Sequence, residues 1–116
     1  MFTWGEYDWP KVMKQFTEEY GPRIEVSSYN SNEEMISKLI ATEGTSGFDI
    51  VVPTGVFVPQ MAENGLLEEL DLTRIPNFEN IGEEYRDQPW DPGNAHSVPK
   101  AWGTTWYTYV ASEITR

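Results

Sequence analysis

Three short β-prone runs, each followed by an amphipathic helical stretch, constrain this chain more than any other feature of its sequence. Phe2 to Trp4 is apolar and β-prone, and Gly5 breaks it. Pro10 suits the first turn of a helix, where its missing N–H does no harm. Val12, Met13, Phe16 and Tyr20 then recur at helical spacing until Gly21-Pro22, a good stop. Arg23 to Tyr29 alternates, with Ile24 and Val26 on one side and Glu25 on the other, as a half-buried strand does. Ser31-Asn32-Glu33-Glu34 reads as a capping box, and Met35, Ile36, Leu39 and Ile40 supply the apolar face of a second helix. Phe48 to Val52 is nearly continuous in apolar residues, which predicts a strand buried on both faces. Pro53-Thr54-Gly55 ends it, and Val56 to Asn64 predicts a third helix that accepts Pro59 in its first turn and stops at Gly65. Strands alternating with helices call for an α/β fold of βαβ units, right-handed crossovers and a mainly parallel sheet. In such sheets ligands lie beyond the carboxyl ends of the strands. The loops to inspect are therefore Gly5 to Trp9, Tyr29 to Ser31, Pro53 to Phe57 and the segment around Trp102.

Beyond Gly65 the pattern loosens. Leu66 to Leu70 reads as a short strand or extended edge, a helical stretch falls near Glu79 to Tyr85, and Asp91-Pro92-Gly93-Asn94 is a turn signal. Ser97 to Pro99 and Thr104 to Val110 predict two further strands. With 116 residues the chain suits one domain with a modest core. Met1 runs straight into a predicted strand, which predicts that the natural chain began earlier and that a leader or other preceding segment has been removed.

The net charge of −11 disfavours nucleic acid and anionic membrane surfaces and favours cations. Without cysteine, neither a disulfide framework nor a thiolate metal site can form. No apolar run is long enough to span a bilayer, so direct membrane insertion is not expected. A Ser-His-Asp triad would have to use His96, the single histidine, which lacks a nucleophile elbow and reads as a surface loop residue. Glu6 and Asp8, two residues apart, fix no useful separation for glycoside hydrolysis. Gly44 to Gly47 precedes a strand and lacks the Walker spacing and lysine, so it is a connector rather than a phosphate cradle. These exclusions predict no catalytic residues, no cofactor and no metal.

Recognition is what remains. Five Trp and six Tyr exceed what a core of this size needs and suggest a binding surface as well. The stretch Trp4-Gly5-Glu6-Tyr7-Asp8-Trp9-Pro10 combines aromatic faces with a carboxylate in a loop after a strand. Such rings attract a cation and pack on methylenes, while the carboxylate accepts a charge-assisted N–H bond. The alternative is that Trp4 and Trp9 are packing residues and Glu6 is a solvated loop charge. Composition leaves both readings open.

Six motifs in order resemble one family, the extracellular solute-binding proteins of ABC transporters, in its spermidine/putrescine-binding branch. They are Thr3 to Tyr7, Ser31 to Met35, Phe48 to Thr54, Asp91 to Asn94, Ser97 to Pro99 and Trp102 to Thr105. The resemblance runs from the first strand to about Tyr109. It implies a periplasmic-binding-protein-like (type II) fold of two hinged lobes that close on a polyamine and deliver it to ABC permease subunits, in the periplasm or outside the cell, with the parent free or lipid-anchored. Residues 1–110 would be most of the first lobe and residues 104–116 the approach to the hinge and second lobe.

By the same resemblance Trp4, Gly5, Glu6 and Tyr7 line the interlobe cleft, with rings flanking the polyamine and the acid near an amine. Thr54 replaces a serine and keeps its hydroxyl. Val56 stands where an aromatic is frequent, with Phe57 beside it, and Trp102 lies in the last motif. Lys100 also replaces a frequent aromatic, and a cation close to the cleft would oppose a polycation. Another small cationic or polar metabolite in the same fold, or a single-lobe module without a ligand, are the competing readings. A lone lobe is further expected to expose apolar surface and to self-associate.

Overall fold

The computed structural model describes residues 1–6, 9–42 and 47–113. Strand β1 (Phe2–Trp4), helix α1 (Pro10–Tyr20), strand β2 (Ser27–Tyr29), helix α2 (Asn32–Ala41) and helix α3 (Val58–Glu63) follow one another in the predicted order. Strands β1 and β2 pair in parallel, with Phe2 opposite Ser27 and Trp4 opposite Tyr29. On the other edge of β1 the Phe2 N–H donates to the Ile50 carbonyl at 2.8 Å, and the Phe2 carbonyl accepts from the Val52 N–H at 2.9 Å. β1 is thus the central line of three parallel segments, and the chain leaves all three at the same end. The α/β reading and its parallel crossovers hold.

Phe2, Tyr29, Met35, Ile36, Leu39 and Met61 form the buried cluster. Phe2 meets the edge of the Tyr29 ring at a centroid distance of 5.0 Å and stacks on Phe48 at 4.4 Å. The Lys38 ammonium lies 4.8 Å from the centre of the Phe2 ring, placing a cation over an aromatic face that its methylenes help to cover. Helix α2 starts where the sequence predicts it. Ser31 Oγ accepts from the Glu34 N–H at 3.1 Å, and Glu34 Oε2 accepts from the Asn30 N–H at 3.0 Å, one residue before the cap position of a standard box. Met35, Ile36 and Leu39 are buried, but Ile40, predicted on the same face, is half exposed because it has rotated past the edge of the cluster.

Several predicted elements are shorter or absent. Only Ser27–Tyr29 of the run from Arg23 to Tyr29 joins the sheet. The run from Phe48 to Val52 contributes a bridge at Val51, and Ile50 is 59% exposed rather than buried on both faces. No described element packs over that side. The predicted third helix begins as a 3-10 turn, Gly55–Phe57, and is α-helical only over Val58–Glu63. Gly55 suits that position, since a Cβ there would clash with the Trp90 indole. Leu66 to Leu70, Ser97 to Pro99 and Thr104 to Val110 form no strands, because among the described residues no neighbour offers them a ladder. The region near Glu79 to Tyr85 is helical only as two 3-10 turns, Pro76–Asn80 and Glu83–Tyr85.

One consequence is a large uncovered apolar surface. α1 has no buried residue; Val12, Phe16 and Tyr20 point away from the cluster together with Ile50. The radius of gyration is 17.2 Å, against about 13 Å for a compact chain of this length. The 116 residues in isolation are therefore expected to bind a hydrophobic dye and to associate as concentration rises, read by light scattering. A monodisperse monomer that leaves the dye dark would contradict this.

Candidate ligand-binding cleft

The loops that leave the three parallel segments converge on an open cleft of about 630 Å³, lined by Trp4, Gly5, Glu6, Tyr29, Asn30 and Thr54. Trp4 and Tyr29 sit side by side, ring centres 4.7 Å apart, because they are register partners on adjacent strands. The Tyr29 hydroxyl donates to the Val52 carbonyl and so ties β2 to the third segment across β1. Burial pushes that phenol up to about 12, since the ionised form would be stranded away from water. Glu6 follows in a left-handed conformation, φ 63°. A non-glycine residue there carries a strain of about 1–3 kcal/mol, a cost that natural chains concentrate at functional sites. Among the described lining residues Glu6 is the charged one, and no cation faces it across the cleft.

The Thr54 wall is held from helix α2. Asn32, the first residue of that helix and 8% exposed, gives Thr54 a two-point contact. Its Oδ1 accepts from the Thr54 N–H at 2.9 Å, and its Nδ2 donates to Thr54 Oγ1 at 3.1 Å. Behind the wall the Asp91 to Asn94 turn is built on buried acceptors. Asp91 accepts from the His96 N–H at 3.2 Å and from the Ser97 hydroxyl at 2.5 Å, while Asn94 Oδ1 accepts from the Asp87 N–H at 2.8 Å. That turn carries Trp90, whose indole rests against Gly55. His96, half buried, also turns Nδ1 toward the Glu68 carbonyl at 3.2 Å, a structural loop role.

Of the residues singled out in the sequence, Trp4, Gly5, Glu6 and Thr54 meet at this cleft. Tyr7 and Asp8 lie outside the described residues. Val56, 62% exposed, does not line it, and neither does Phe57, which packs against the buried cluster. Trp102, 70% exposed, stacks on Tyr85 at 5.8 Å instead. Lys100 does not line the cleft; its ammonium sits 5.2 Å from the centre of the Trp9 ring. No group of three or more His, Asp or Glu among the described residues could hold a metal ion.

The sequence profile of bacterial extracellular solute-binding proteins matches residues 11–114. The chain belongs to that family. The spermidine/putrescine-binding periplasmic protein of Salmonella typhimurium is 38% identical over 104 residues, 90% of this chain and 30% of the relative. The putrescine-binding periplasmic protein SpuD of Pseudomonas aeruginosa is 34% identical over 116 residues, 98% of this chain and 31% of the relative. Among solved structures, the TpPotD lipoprotein of Treponema pallidum superposes with a TM-score of 0.78 at 38% identity, covering 87% of this chain and 31% of that one. The spermidine/putrescine ABC transporter substrate-binding protein PotD of Streptococcus pneumoniae gives 0.77, also at 38% identity, covering 84% of this chain and 30% of that one. The chain thus spans about a third of the length of these family members, and the fold is that of part of a periplasmic-binding-protein lobe.

Tyr29, Asn30 and Asn32 are not singled out as site residues by the sequence, which marks the first two only as part of a loop and Asn32 only as part of a helix cap. The rule that ligands sit after parallel strands does mark Tyr29 to Ser31, but nothing in composition tells a cleft-lining Asn30 from a loop asparagine. Asn32 is hidden because its partner lies 22 residues away.

The raised Tyr29 pKa has a testable sign. A phenol held protonated by the fold gives a contribution fully present below its ordinary value of 10 and lost as pH rises toward about 12. Melting of the full-length family member should therefore drop across that window, and Tyr29→Phe should drop less. Parallel alkaline profiles for the two would contradict the assignment.

Proposed function

We propose that the full-length protein carrying this chain is the substrate-binding component of an ABC importer for polyamines such as spermidine or putrescine. Residues 1–110 form part of its first lobe, residues 104–116 lead toward the hinge, and closure of a second lobe over the cleft completes the site. It works in the periplasm or outside the cell, free or lipid-anchored, and hands its ligand to permease subunits.

The observation that carries this reading is the position of Glu6: an exposed acidic residue that lines the same cleft as Trp4 and Tyr29, at the end of the parallel segments, in a strained backbone conformation. A diamine presents charged N–H donors and a methylene chain, which suit a carboxylate and ring faces respectively. Relatives at 34–38% identity are named for spermidine and putrescine, which supports the same ligand class. Lys100, the cation that most opposed a polycation in the sequence, stands on the Trp9 ring rather than in the cleft lining. No chemical step is assigned to any residue; the chain's part is to bind.

Calorimetric titration of putrescine and spermidine into the full-length protein tests this. Binding is expected, and Glu6→Gln should weaken it roughly tenfold or more, the loss of a charged hydrogen bond. The isolated 116 residues should bind far more weakly, since one wall supplies few contacts and no closure. Absence of heat with both amines would sink the polyamine assignment. An unaltered affinity in Glu6→Gln would return Glu6 to a solvated loop charge.

A further inference from the structure

Thr54 carries the one aliphatic hydroxyl among the described residues that line the cleft, the Tyr29 phenol being spent on the Val52 carbonyl, and what the Thr54 hydroxyl can offer is decided by a residue that does not line it. The backbone N–H of Thr54 can only donate, so the Asn32 atom 2.9 Å from it is the amide oxygen. The amide is planar, and its other end is therefore the NH₂ group, 3.1 Å from Thr54 Oγ1. An NH₂ group can only donate, so Oγ1 accepts. One of its two lone pairs is used, and its own proton must turn away from Asn32. The contact is part-buried and Asn32 itself is buried, so water cannot easily exchange these roles.

We propose that Asn32 is a specificity-determining positioning residue: by engaging the backbone N–H and the hydroxyl oxygen of Thr54 it leaves the cleft one lone pair and the O–H donor, where a hydroxyl that donated to its brace would present two lone pairs and no donor. A primary ammonium carries three N–H donors and no acceptor. Thr54 can take one of them, and the others go to acceptors such as the Glu6 carboxylate. The inference rests on the polyamine reading above and adds to it how the Thr54 wall limits amine binding.

Asn32→Asp reverses the sense of one bond. A carboxylate still accepts from the Thr54 N–H but cannot donate to Oγ1, so the Thr54 hydroxyl turns inward to donate and both lone pairs face the ligand. Asn32→Ala removes both bonds and frees the wall. A purely structural residue would be harmed by both changes; here they act in opposite directions.

The test is a square of full-length proteins titrated with putrescine at neutral pH: wild type, Asn32→Asp, Thr54→Val and the double variant, with Asn32→Ala and Thr54→Ser beside them. Asn32→Asp should tighten binding by about threefold or more when Thr54 is present, and its effect should be smaller by at least about threefold in the Thr54→Val background, a coupling of the size contacting residues show. The added negative charge acts equally in both backgrounds and cancels in the comparison. Asn32→Ala and Thr54→Val should each weaken binding about fivefold, while Thr54→Ser, which restores the hydroxyl, should recover most of what Thr54→Val loses. Equal effects of Asn32→Asp in the two backgrounds, or wild-type affinity in Thr54→Val, would overturn the proposal; the second measurement decides it even if no Asn32 variant folds. A wild type that binds no amine overturns the polyamine reading and this proposal with it, whereas amine binding with uncoupled variants overturns this proposal alone.

Discussion

Phe2 is hydrogen-bonded through its backbone to the third parallel segment and paired with β2 on its other edge, while its ring closes the buried cluster. Everything else is placed relative to that residue. Because its two neighbours run parallel to it, all three chains must exit at one end, and the loops they enter share a single cleft. Truncation at Phe2 would remove a buried ring, about 3–5 kcal/mol in a typical core, and would also loosen both pairings.

A short sheet sets directions but not distances, so the cleft wall needs braces. Tyr29 ties β2 to Val52, Asn32 fixes Thr54 from the start of helix α2, and Trp90 presses on Gly55 from the turn centred on Asp91. Each brace joins residues far apart in sequence, and each acts on a loop that leaves a strand. The acidic motif around Glu34 caps the helix that presents Asn32, so a local capping preference ends as a tertiary constraint on the site.

Local signals were legible in the sequence and relational ones were not. Pro10, Gly21 and Gly65 mark element ends by their own backbone chemistry and Ser31 by its hydroxyl, and the structure follows them. Trp4, Gly5, Glu6 and Thr54 can be placed at one cleft from sequence because they lie at or just beyond the ends of parallel segments. Thr104 to Val110 reads as a strand by composition, yet β-propensity is realised only where a neighbouring edge and a packed face exist. Ile50 and the apolar stripe of α1 misled for the same reason: their burial depends on surfaces that the described residues do not provide.

The central claim is that Glu6, Trp4 and Thr54 form one wall of an amine site whose geometry is already set by the three parallel segments. A crystal structure of the full-length protein grown with putrescine tests it most directly. The account predicts an ammonium within hydrogen-bonding distance of the Glu6 carboxylate, the methylene chain along the Trp4 ring, and Thr54 still held by Asn32. An amine bound away from this cleft, or Glu6 turned to solvent with the ligand in place, would contradict it.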